Sequence, residues 1–162
     1  MLDIRSVVCS QFNSTLDMLQ QCIEKCPDSL WSDAQDRNPT WRVIYHALFF
    51  TDLYLQERAE DFQVWRIHQP DLEDLGAPAR DMDGKPVMPL TRDTLLDYLR
   101  HCRGQVEQRT AQLDPEAASG FHWLPFNKLE TQFYNIRHIQ LHTGELAERL
   151  WVRAGVEVGW VR

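Results

Sequence analysis

The chain has 162 residues, 43% of them hydrophobic and 25% charged, with a formal net charge of -7. This is the composition of a globular protein of one ordinary domain, residues 1–162, and not of a disordered or fibrous chain. The acidic balance argues against non-specific nucleic-acid binding, which needs clustered lysines and arginines, and no run approaches the roughly 18 apolar residues of a membrane span.

Apolar residues recur at helical spacing in four segments, and no stretch sustains period-two alternation, so the expected fold is all-α, a four-helix bundle. The first helix is expected from about Leu2 to Cys26, with Val8, Phe12, Leu16, Leu19 and Ile23 on one stripe. Pro27 and Asp28 end it, because the residue before a proline is pushed out of the α region. The N-terminus lacks the charged and uninterrupted apolar regions of a secretory signal. Cys9, Cys22, Cys26 and Cys102 form neither a CxxC pair nor a dense disulfide framework. Reduced thiols in a cytoplasmic protein are expected. Cys22 and Cys26 share a helical face, and packing as small apolar residues explains them more simply than a metal or redox pair.

A second helix begins after Asn38-Pro39-Thr40, where Thr40 is placed to cap the first turn, and continues through Trp41, Ile44, Ala47, Leu48, Leu53 and Leu55. It is apolar around most of its axis, as a helix buried among neighbours is, so His46 within it needs a polar partner. From about Asp61 to Leu90 the pattern breaks at Pro70, Gly76, Pro78, Gly84, Pro86 and Pro89, with Asp83-Gly84 reading as a turn. Long connections often cover a site, and Phe62, Trp65 and His68 are the residues to fold over one end of the bundle; a packed crossover with no direct role accounts for the pattern equally well.

Thr91 caps the third helix, whose stripe is Leu95, Leu99, Cys102, Val106 and Leu113, with Asp93 in the first turn and a stop near Asp114-Pro115. A loop with Gly120, Trp123 and Pro125 leads to the fourth, from about Leu129 to Ala154 through Phe133, Ile136, Ile139, Leu146 and Leu150. Gly155 is placed to terminate it in the left-handed conformation.

His138 and His142 are four apart on the fourth helix, one turn apart on one face, so both side chains can reach one ion. They lie in a polar stripe of Thr131, Tyr134, Asn135, His138, His142, Glu145 and Arg149 beside the apolar stripe. His46, on a different and nearly all-apolar helix, completes a three-histidine set, the arrangement that leaves a fourth position open on Zn²⁺ or a similar metal. The plain structural alternative has His46 satisfied by a hydrogen bond in the core and the other two on a solvated face. His68, His101 and His122 fall in loops or on an exposed helix face and are expected not to be ligands.

The segments Trp41 to His46, Pro89 to Leu99 and, above all, Tyr134-Asn-Ile-Arg-His138-Ile-Gln-Leu-His142-Thr-Gly-Glu-Leu146 resemble the DinB/YfiT-like family of metal-dependent four-helix bundles. In that family a histidine of the second helix and an HxxxH pair on the last hold the ion, which the resemblance carries onto His46, His138 and His142. It also implies a long connection between the second and third helices, a divalent ion such as zinc or nickel, and a homodimer, for which Trp151 and Trp160 are exposed-looking candidates. Some family members are thiol-dependent transferases and isomerases, so the resemblance implies a metal-dependent enzyme acting on a small molecule, with a low-molecular-weight thiol as co-substrate. A bundle that binds metal or ligand without catalysis is the alternative, and no catalytic residue is carried over. Glu145 is placed to orient a histidine or take a proton, and Tyr134 to hydrogen-bond a substrate; a solvated helix edge explains both as well.

Overall fold

The computed structural model describes residues 3–78, 83, 85 and 87–162. Among the described residues five α-helices form: α1 (Ile4–Lys25), α2 (Asp28–Trp31), α3 (Thr40–Leu55), α4 (Arg92–Ala111) and α5 (Lys128–Ala154), with one 3₁₀ turn at Ala59–Asp61. The four expected helices are α1, α3, α4 and α5. The single turn α2 was not legible, because Pro27 that ends α1 also opens α2 at Asp28.

Local chemistry sets the ends. Asp3 accepts from the Arg5 amide and starts α1, Thr91 accepts from the Thr94 amide and starts α4, and Asn127 accepts from the Glu130 amide and starts α5. Gly155 takes φ 65 and closes α5 as expected. Thr40 is not a cap but the first helical residue of α3, behind Pro39, and its hydroxyl instead accepts from Arg149 at 3.2 Å. The third helix stops at Ala111, before Asp114-Pro115, although Leu113 remains buried beyond it. Leu2, Gly84 and Pro86, assigned above to a helix start and to turns, lie outside the described residues.

Side-chain bonds fix the directions. Arg103 of α4 reaches Asn13 and Asp17 of α1 while Arg92 reaches the Ile23 carbonyl, so α1 and α4 are antiparallel neighbours. Cys102 donates to Leu48 and Arg109 to Gln56, which makes α3 and α4 parallel. Asn135 donates to the Thr51 carbonyl and Gln132 to that of Tyr54, which makes α3 and α5 antiparallel. Two consecutive parallel helices need a connection that runs back along the bundle, and this is the physical reason for the long segment between α3 and α4.

That crossover is packed. Phe62 meets Phe49 at 5.1 Å, Trp65 stacks flat on Tyr98 at 4.4 Å, and His68 pairs with the Tyr45 hydroxyl at 2.8 Å. Arg42, buried in α3, donates to the carbonyls of Leu72, Asp71 and Asp74 and to the Asn38 side chain. One guanidinium therefore ties the crossover backbone to the bundle.

The expected stripes are buried on α1 and α4, while on α5 only part of the stripe is: Ile139, Leu146 and Leu150 are fully inside, but Phe133 is 48% exposed. Phe133 stands on the outer face of α5 with Leu141, Trp151 and Val152. All four cysteines are free thiols; Cys22 and Cys26 are buried, and burial pushes the Cys22 thiol up to about 12, which suits packing and not redox or metal chemistry.

Candidate metal centre

In α3 every residue is buried except His46 and Phe50, which sit one turn apart and are half-buried. The helix is closed to solvent everywhere but at this spot. Opposite it, α5 presents His138 and His142, and one ligand atom from each of the three histidines lies within 4.8 Å of the others. No other such cluster of histidine, cysteine and carboxylate side chains occurs among the described residues.

The His46 Nδ1–H donates to the Glu73 carbonyl at 2.5 Å. A carbonyl only accepts, so this bond fixes the proton on Nδ1 and leaves Nε2 as a lone pair. Glu73 lies in the stretch of crossover that Arg42 grips, so Arg42 acts on the site through the backbone. His142 Nδ1 donates to Glu145 Oε2 at 2.8 Å, which again frees Nε2 in the neutral ring. Nε2 of His46 and Nε2 of His138 are 3.0 Å apart.

Burial, countered in part by the Glu73 carbonyl, lowers the His46 pKa to about 4, and burial together with the neighbouring His142 and His46 lowers that of His138 to about 3. Both rings are therefore neutral at pH 7, the form that coordinates metal. Two nitrogens each about 2.0–2.1 Å from one tetrahedral ion sit roughly 3.4 Å apart, so the cluster needs only small side-chain shifts to share an ion. The residues present thus fit a divalent cation held by three neutral imidazoles. Phe50 packs its ring 4.8 Å from His46 and 5.4 Å from His138, and Tyr54 and Tyr134 continue this aromatic wall at 5.9 and 5.4 Å steps.

The profile of the DinB superfamily matches residues 11–146 of the chain. The chain belongs to the DinB superfamily. No curated protein and no solved structure matches it.

The other histidines fall elsewhere, as expected. His68 bonds to Tyr45, His122 is exposed against Trp123, and His101 pairs with Asp52 at 3.2 Å. His101 is only partly exposed, and its buried Asp52 partner was not anticipated. Nor was the Glu73 carbonyl, since a main-chain acceptor leaves no sequence signal. Phe50 carried one: it stands four residues after His46 and must share its face. Tyr134 is half-buried against Tyr54 and Phe126.

Proposed function

We propose that His46, His138 and His142 bind one divalent ion, zinc or nickel, and that the protein is a metal-dependent enzyme of small-molecule chemistry using a low-molecular-weight thiol. The observation that carries this reading is the convergence of three imidazoles from two helices, two with the proton tied to an oxygen on the far side of the ring. An ion there supplies a Lewis acid that lowers the pKa of a thiol or water at its open position. Neutral ligands leave its charge uncancelled, which favours an anion there. Glu145 holds the His142 tautomer and stands 53% exposed at its side chain, where it is also open to solvent as a proton acceptor.

Metal analysis after purification and cobalt substitution tests the proposal. Expected are about one equivalent of metal and a sulfur-to-cobalt charge-transfer band on adding small cellular thiols. Metal without thiol binding favours the non-catalytic bundle, and no metal rejects the site. We also propose a cytoplasmic homodimer, supported by the apolar outer face of α5; no described helix is long and apolar enough to cross a membrane.

A further inference from the structure

Support for the three histidines is uneven. His46 and His142 each give their Nδ1–H to an oxygen, whereas Nδ1 of His138 is buried with no hydrogen-bond partner. Three residues earlier on α5, Oδ1 of Asn135 is also buried with no partner. The orientation of the Asn135 amide is not free. Its Nδ2 donates at 3.0 Å to the Thr51 carbonyl, which can only accept, so the oxygen is the atom left over. Residues three apart on a helix are neighbours, and side chains lean toward the preceding turn, which carries the His138 ring over the turn that holds Asn135. Both buried atoms are costly unpaired, and they become complementary when the ring proton moves to Nδ1.

We propose that Asn135 is the positioning residue of His138 once an ion is bound: when the ion displaces the proton from His138 Nε2, Asn135 Oδ1 accepts the Nδ1–H and holds the Nε2 lone pair toward the ion. Without the ion the two atoms make no bond, and because the His46 proton is on Nδ1, the 3.0 Å contact between the two Nε2 atoms places the His138 proton on Nε2. The proposal rests on the metal reading above and gives it a physical switch. His138 has one ring proton when neutral, and two acceptors compete for it. Placed on Nε2, the proton bridges to Nε2 of His46, 3.0 Å away, and closes the cluster on itself. Placed on Nδ1 and held by Asn135, it leaves lone pairs converging on one point, an arrangement that repels itself unless a cation occupies the centre. Asn135 thereby lowers the cost of passing from the histidine–histidine hydrogen bond to the cation site.

The test uses zinc alone and two variants. Asn135→Leu keeps the volume and removes both polar atoms, while Asn135→Asp keeps an oxygen acceptor toward His138. Zinc affinity, measured by competition with a chromophoric chelator, is expected to fall 10- to 100-fold in Asn135→Leu and to stay within about threefold of wild type in Asn135→Asp. Long-range ¹⁵N–¹H spectra are expected to show His138 as the Nε2–H tautomer in the metal-free wild type and, once zinc is bound, an Nδ1–H resonance shifted downfield by its hydrogen bond in wild type and Asn135→Asp but not in Asn135→Leu. Loss of a purely structural asparagine would lower stability without moving the Nδ1–H resonance of the zinc-bound protein. A zinc-bound Nδ1–H resonance that is alike in wild type and Asn135→Leu, or Asn135→Leu binding zinc as wild type does, overturns the proposal. Wild type that binds no zinc refutes the metal reading and the proposal with it, whereas wild type that binds zinc with either of those results refutes the proposal alone.

Discussion

Acid is the sharpest probe of the metal-free histidine cluster. An unfolded histidine takes up a proton near pH 6.5, whereas folded His46 and His138 do so only near 4 and 3 because burial disfavours the charged ring. A depressed folded pKa means that the stability is present above pH 6.5 and is lost as pH falls toward the folded values. Near pH 5 the unfolded chain holds nearly two more protons at these sites than the folded one, a slope of about 2.5 kcal/mol per pH unit. Solvent reaches the half-buried rings, so we expect about half of that. Asp52 works the other way, since burial raises its carboxyl pKa against the pull of His101. The isolating measurement is therefore a comparison of urea unfolding in chelator, in steps from pH 7 to 4.5, between wild type and the double variant His46→Gln, His138→Gln. Wild type should lose about 1–1.5 kcal/mol per pH unit more than the variant. Parallel slopes would show that the rings are solvated and take up protons alike in the folded and unfolded chain.

His46→Ala or His138→Ala should each abolish stoichiometric metal binding with far-UV circular dichroism nearly unchanged, because the apolar stripes supply most of the stability; unchanged metal content rejects the ligand assignment, and wholesale unfolding makes the ion structural. Arg42→Met strips the crossover carbonyls of their charged donor and should cost about 2–4 kcal/mol, with faster amide exchange over residues 71–74; unchanged exchange there would mean that Arg42 does not anchor the crossover. Light scattering at tens of micromolar should give a dimer mass, and a monomer mass removes the α5 outer face as an interface.

Much of this was legible in the chain because period alone carries it. The stripe from Val8 to Ile23, the Thr91 cap and the Gly155 terminator are local signals, and each stands where the spacing places it. His46 was legible as a candidate because a polar residue in an all-apolar helix demands a partner, and the HxxxH pair supplied one. What the sequence hid is non-local or main-chain: the Glu73 carbonyl over His46, the Asp52–His101 pair, and the use of Thr40 as an acceptor for Arg149 instead of a cap. Phe133 misled for a related reason. Its spacing continues the apolar stripe, but at that turn the stripe has rotated to the outer face, and burial depends on where α3 and α1 lie.

Because the candidate ligands come from only two helices, the geometry of the centre depends on the register of α3 against α5. Hydrophobic packing is non-directional and resists a slide only weakly, so it cannot by itself hold His46 opposite His138 and His142. Polar bonds can. Arg149 donates to the Asn38 carbonyl and to Thr40 at the start of α3, Asn135 to Thr51 in its second half, Gln132 to Tyr54 near its end, and Lys128 to the Gln56 and Glu57 carbonyls past it. A slip of one residue, about 1.5 Å, would strain most of these at once and leave buried donors unpaired. Burial lowers the Lys128 pKa to about 8, the direction expected of a cation held inside for its hydrogen bonds. The buried polar residues of α5, which look like costs to a hydrophobic core, are thus what sets the histidines face to face.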